Sequence, residues 1–262
     1  MHTSTRAFAA KLLCGFLVLT APGAVISVNF VGGNGNTTNF NGPNVTTIAG
    51  VLRVGNWNNA GMNNGAFSLI DDGGIPAGSI SYTSPNVYGA IPSGGGISGG
   101  AGDTALMTGY LDNVAGGSGI TVTGLPASFT AFGYTVLVFQ ASDSNGSFGY
   151  TITDNASHTD TAFGRQLGGN GGNYPLAGGI DGYIGSTYAT AEGPATAANY
   201  VILEGLTGSS FTLIGVNGST GDGRARINGF QVVAVPEPGS ALLGIGLTAL
   251  VGAARRRRMP AT

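Results

Sequence analysis

Short runs of β-branched and aromatic residues, each closed by a glycine-rich turn, constrain this chain more than any other feature. Residues 25–31 read Val-Ile-Ser-Val-Asn-Phe-Val, with Ile26, Val28 and Phe30 alternating, and they stop at Gly32-Gly33-Asn34-Gly35. Alternation with a period of two sends one set of side chains to one face of a strand. Comparable runs cover residues 45–54, 66–70, 78–83, 119–123, 132–140, 147–153, 160–165, 182–188, 199–203, 210–216 and 225–233. With 49 glycines in 262 residues, helices gain little from propensity, and no amphipathic helix stands out. About ten to thirteen short strands follow. The expected fold is all-β, an antiparallel β-sandwich of jelly-roll-like form. A β-solenoid would suit the same composition, but it requires a fixed-period repeat that the chain lacks.

Local signals link some of these runs. Asp71-Asp72-Gly73-Gly74 is a strong turn between residues 66–70 and 78–83. Residues 142–146 end in Asn145-Gly146, which predicts a hairpin between a central strand at 132–140 and a partner at 147–153. Residues 84–102, with Pro85, Pro92 and two glycine clusters, read as loop, whereas 104–111 fit a strand or a short helix.

Both ends look like addresses rather than fold. Residues 1–24 carry Arg6, Lys11, an apolar run at 12–19, and the small residues Ala21, Gly23 and Ala24, the layout of a secretory signal peptide. The one cysteine, Cys14, lies inside that run, so a domain over 25–233 has neither a disulfide nor a cysteine metal site. This domain holds Arg53, Arg165, Arg224 and Arg226, no lysine and eleven carboxylates, a formal charge near −7. Such a surface repels phosphate backbones, which argues against nucleic acid as a partner.

Residues 234–262 form the other address. Pro236-Glu237-Pro238 is a stiff, extended elbow, because each ring fixes φ and disfavours the α region before it. An apolar run over 241–254 follows, and Arg255, Arg256, Arg257 and Arg258 then place charge that hydrocarbon does not accept. The pattern predicts a transmembrane helix with a cytoplasmic arginine end. At about 22 Å for residues 240–254, it is shorter than a hydrocarbon core of ~30 Å, which suits a segment meant for removal. This order of parts resembles the PEP-CTERM sorting signal of bacterial surface proteins, with Pro236, Glu237 and Pro238 as signature. The first strand and the last third, including Ile227-Asn228-Gly229-Phe230-Gln231, also resemble jelly-roll domains of such proteins. The resemblance implies an exosortase-type membrane protease-transpeptidase as partner, cutting near Pro236-Glu237-Pro238. It also implies a chain anchored in the membrane before processing and carried to the cell surface or extracellular matrix after it.

The chemistry inside the domain is sparse. His158 stands between Asp154 and Asp160 beside Ser157, but residues so close in sequence rarely meet in triad geometry, and a polar surface loop is the plainer reading. Glu192 and Glu204 are candidate glycosidase carboxylates that nothing in the sequence brings together. Asp71-Asp72 and residues 143–146 offer oxygen ligands for calcium without the spacing of a dedicated loop. No other metal or cofactor is expected. Trp57, Tyr110 and Tyr183 are candidate glycan platforms beside glycine- or amide-rich loops, although aromatics of this kind also close the ends of a sandwich. Together these features lead to the expectation of a non-enzymatic, exported surface or matrix protein, structural or adhesive. The alternative is a carbohydrate-binding module recognising exopolysaccharide or a plant or algal glycan.

Overall fold

The computed structural model describes residues 23–32, 42–89, 100–112, 119–141, 146–166, 198–221 and 224–237. Gly23–Val235 form one compact unit; of the second unit, Met1–Pro22 and Pro236–Thr262, only residues 236 and 237 are described. A five-stranded sheet has the order β11 (Tyr200–Leu206), β8 (Tyr134–Phe139), β13 (Gly229–Ala234), β1 (Val25–Phe30), β2 (Asn58–Ala60). A six-stranded sheet has the order β10 (Thr159–Gln166), β9 (Gly146–Asp154), β12 (Ser210–Gly221), β7 (Gly119–Thr123), β4 (Pro76–Thr83), β3 (Asn64–Ile70). A ribbon of β5 (Val87–Gly89) and β6 (Gly109–Leu111) and two short helices, α1 (Ala101–Thr108) and α2 (Ala127–Thr130), complete the described elements.

This arrangement corrects the expected fold in several places. The chain is largely β-sheet, but the five-stranded sheet is mixed, and the described sheets do not close into a jelly-roll sandwich or barrel. β1 lies antiparallel to β13 yet parallel to β2. A parallel neighbour requires a long crossover, and residues 31–57 supply it. The extended run expected at 45–54 is therefore not a strand; it belongs to the crossover, and its one isolated β-bridge joins Ala49 to Val54. The predicted hairpin across 142–146 does not form either. β8 pairs with β11 and β13, while β9 pairs with β10 and β12 in the other sheet. Residues 104–111 turn out to be both candidates in succession, the end of α1 and then β6.

The expected transmembrane helix, and with it the expected membrane anchoring before processing, is also corrected: no helix among the described residues is long and apolar enough to cross a membrane. The apolar run at 241–254 and Arg255 to Arg258 lie outside the described residues, as do the leader to residue 22 and the strand expected at 182–188.

Burial explains which strands are central. β1 is buried along its whole length, and its alternation places Ile26, Val28 and Phe30 in one core cluster with Ile80, Val122, Ile152 and Leu213 of the other sheet. Aromatic rings join the two sheets. Phe230 of β13 lies 6.3 Å from Phe30 and 6.3 Å from Phe211 of β12, the latter edge-on at 79°. Phe30 meets Tyr82 of β4 at 5.2 Å, and Phe211 meets Tyr134 of β8 at 6.0 Å. Such tilted and edge-to-face pairs add to the burial itself.

The outer face of the five-stranded sheet is covered. Val45, Ala49 and Trp57 from the crossover and Leu106 and Met107 from α1 pack on Leu137 and Phe139 in a second cluster. Gln231 fixes this layer: its Oε1 accepts from Leu52 N at 3.1 Å, and its Nε2 donates to Leu52 O at 2.8 Å and to Ser27 Oγ at 3.1 Å. Asn228 Nδ2 donates to Gly109 O at 2.8 Å, and its Oδ1 accepts from Ala141 N. Gly229 leaves no room for a side chain, since a Cβ there would lie 2.3 Å from Val28 O. The Asn228-Gly229-Phe230-Gln231 stretch is thus a structural joint on which both faces of the sheet depend.

Three of the four domain arginines serve the fold. Arg53 Nη1 reaches fully buried Asp103 at 2.5 Å. Arg224 Nη1 meets Asp112 at 2.6 Å, and buried Arg226 approaches the same carboxylate at 3.3 Å. Buried charges are tolerated where they are paired and hydrogen-bonded in this way.

Candidate functional site

Two surfaces remain once the core is accounted for: the end of the domain where the sorting segment departs, and the outer face of the six-stranded sheet.

At the first, β1 begins and β13 ends side by side, with Val25 opposite Val233. Ala234 N donates to Ala24 O at 3.0 Å and Val235 N to Gly133 O at 2.9 Å. Val235, Pro236 and Glu237, which follow, are exposed. Pro238 and the four tail arginines lie outside the described residues.

The residues proposed from sequence as glycan platforms are placed differently. Trp57 is 7% exposed; its Nε1 donates to Val54 O and its ring packs against Phe139 at 6.3 Å. Tyr110 is 1% exposed, with the Arg226 guanidinium 5.8 Å over its ring and Tyr88 at 5.7 Å. A sugar platform needs an open ring face, and at both positions protein occupies it. Tyr183 lies outside the described residues.

His158, Asp154 and Asp160 come together as a structural joint and not as a relay. Asp154 accepts four backbone N–H groups, from Ala156 and His158 on Oδ1 and from Thr207 and Gly208 on Oδ2, at 2.8 to 3.0 Å. Burial alone would raise its pKa, but these four donors outweigh burial and hold it below the ordinary carboxylate value. His158 Nε2 lies 2.9 Å from Glu204 O, and Asp160 Oδ2 accepts Glu204 N at 2.8 Å. Glu192 lies outside the described residues, so the structure gives no carboxylate separation to set against Glu204. Asp71 and Asp72 spend their carboxylates on Ile75 N and Val25 N. Among the described residues no group of three His, Cys, Asp or Glu side chains is placed to hold a metal ion.

The second surface was not singled out from sequence. Registers across the six-stranded sheet align Thr159, Thr153, Thr212, Thr121 and Ser81 in one row over five strands. Ser210, Thr123, Ser79 and Ser68 form the next row. On the other side, Thr161 and Thr151 run on to Ile214. Neighbouring hydroxyls contact one another: Thr151 and Thr161 at 2.8 Å, Thr153 and Thr159 at 3.0 Å, Ser79 and Thr123 at 3.1 Å, Thr121 and Thr212 at 3.5 Å. These rows contain no charged residue. A shallow, open cleft of about 390 Å³ crosses them, lined by Thr121, Thr153, Asp154, Asn155, Ser210, Phe211, Thr212 and Ile214. The signal available in sequence was the Thr-x-Thr spacing at 121–123, 151–153 and 159–161, which puts two hydroxyls on one strand face.

Neither curated proteins nor solved structures give a match to this chain. The family model described as the PEP-CTERM protein-sorting motif matches residues 234–258, beginning at the last residue of β13. The chain therefore carries a PEP-CTERM sorting motif, which ties it to the exosortase system and to a surface or secreted role.

Proposed function

We propose that this chain is an exported surface or extracellular-matrix protein, structural or adhesive and without catalysis, whose tail is removed by an exosortase-type protease-transpeptidase. The observation that carries the reading is the junction at Ala234 and Val235. Ala234 and Val235 bond to Ala24 and Gly133 there, and the next residues, Pro236 and Glu237, are exposed. A cut at or beyond Pro236 removes the signal and leaves every described bond of β13 in place. Intact-mass analysis of cell-associated and released protein tests this. The released form is expected to end near Pro236-Glu237-Pro238, and Glu237→Ala is expected to lower the processed fraction at least tenfold. Surface protein that retains Arg255 to Arg258 would contradict the proposal.

A second reading, glycan binding, is favoured by the uncharged hydroxyl rows and the cleft that crosses them. It does not depend on Trp57 or Tyr110, whose rings are packed inside.

A further inference from the structure

We infer that the outer face of the six-stranded sheet is a docking surface for a neutral polysaccharide chain, centred on Thr121, Thr153, Thr212 and Ile214. The inference rests on the glycan-binding reading above and gives it a site and a ligand class.

Chemical complementarity selects this occupant. Each threonine hydroxyl offers one donor and two acceptor lone pairs. Where two are bonded to each other, as Thr153 and Thr159 are at 3.0 Å, one proton is used and the pair keeps a donor and several acceptor positions. A sugar ring presents the same combination of hydroxyls around an apolar ring. Threonine methyls and the Ile214 side chain, 43% exposed, give that ring an apolar contact within the cleft.

Other occupants fit less well. The one carboxylate lining the cleft, Asp154, is buried and accepts four backbone N–H groups, which leaves a polycation a poor ionic partner, and a polyanion meets a domain of net charge near −7. A protein partner would find Ile214 and, out on edge strand β3, Ile70 as large exposed apolar side chains, where the centre of a protein interface is normally apolar and aromatic. The face also repeats. Strands about 4.8 Å apart carry equivalent hydroxyls, so successive residues of a polymer meet equivalent sites and affinity grows with chain length. The opposite outer face, that of the five-stranded sheet, offers no such array, because the crossover and α1 cover it.

Native affinity electrophoresis of the full chain tests the assignment, in gels cast with a soluble neutral β-glucan, a mannan or dextran, and with alginate as the anionic comparison. At least one neutral glycan is expected to retard the chain, and alginate is not. The double variant Thr121→Val and Thr212→Val keeps β-branched shape at both positions and deletes the hydroxyls. It is expected to weaken retardation about tenfold with an unchanged melting temperature. Ile48→Ser, on the crossover away from this face, is expected to leave retardation unchanged. Retardation by a neutral glycan that the double variant does not alter would overturn this face while leaving glycan binding standing. No retardation by any neutral glycan would overturn both. Equal retardation by alginate would overturn the neutral ligand class.

Discussion

Phe230→Ala is expected to lower the melting temperature by about 10 °C. The ring is fully buried between Phe30 of its own sheet and Phe211 of the other, at 6.3 Å from each, so its removal opens a cavity where the two sheets meet. Truncating a buried phenylalanine to alanine costs about 3–5 kcal/mol, because the transfer free energy is lost and the surroundings collapse only in part. In a domain of this size each kcal/mol moves the midpoint by roughly 2–4 °C. Phe132→Ala is the matched comparison: Phe132 is 48% exposed, and its loss is expected to move the midpoint by less than about 2 °C. Calorimetry on the two variants checks the pair. Equal shifts would mean that Phe230 does not join the sheets.

Phe230 also shows which parts of the fold the sequence made legible. Its strand, like β1, β7 and β9, is written in alternation, since a face that must be buried repeats every second residue. Strand pairing is not written in the same way. Residues 142–146 have the composition of a hairpin turn, yet β8 and β9 separate into different sheets. β8 is buried on both faces and needs two long neighbours, which β11 and β13 supply from more than 60 residues away in the chain. The crossover misled for a related reason. Its β-branched residues pack across the face of a sheet, where Gly50 takes a positive φ of 89° against the Gln231 amide. Trp57 and Tyr110 stood beside flexible sequence but inside the packed structure, and loop composition does not record what lies underneath. The hydroxyl face was half legible: each Thr-x-Thr is visible, and 151–153 meets 159–161 across a hairpin, but only the registers of β12 with β9 and with β7, far apart in the chain, bring 121–123 into the same surface.

Asp154→Asn is expected to cost about 3 kcal/mol at neutral pH, and the cost should shrink in acid. Both carboxylate oxygens of Asp154 are acceptors. Oδ1 holds the Ala156 and His158 amides of the β9–β10 turn, and Oδ2 holds Thr207 and Gly208 between β11 and β12. An asparagine keeps one oxygen and turns an NH₂ group toward two N–H donors, so one of these connections loses its bonds and gains a donor facing donors. Hydrogen bonds to a charged group are worth about 1.5–3 kcal/mol each, and abandoned buried donors add their desolvation. The effect extends to Tyr134, whose buried Oη donates to Gly208 O at 3.0 Å. Burial first, and the Asp154 charge second, push that phenol upward, so it stays protonated as a donor. The pH dependence follows from the lowered pKa of Asp154. The folded state holds the proton less tightly than the unfolded chain, whose aspartates titrate near 3.9. The stabilisation is therefore complete above about pH 4 and is lost as pH falls through the folded value. Melting temperatures of wild type and Asp154→Asn should differ most at pH 7 and converge below pH 4. A gap that stays constant into acid would mean that the shape of the side chain, and not its charge, holds the two turns together.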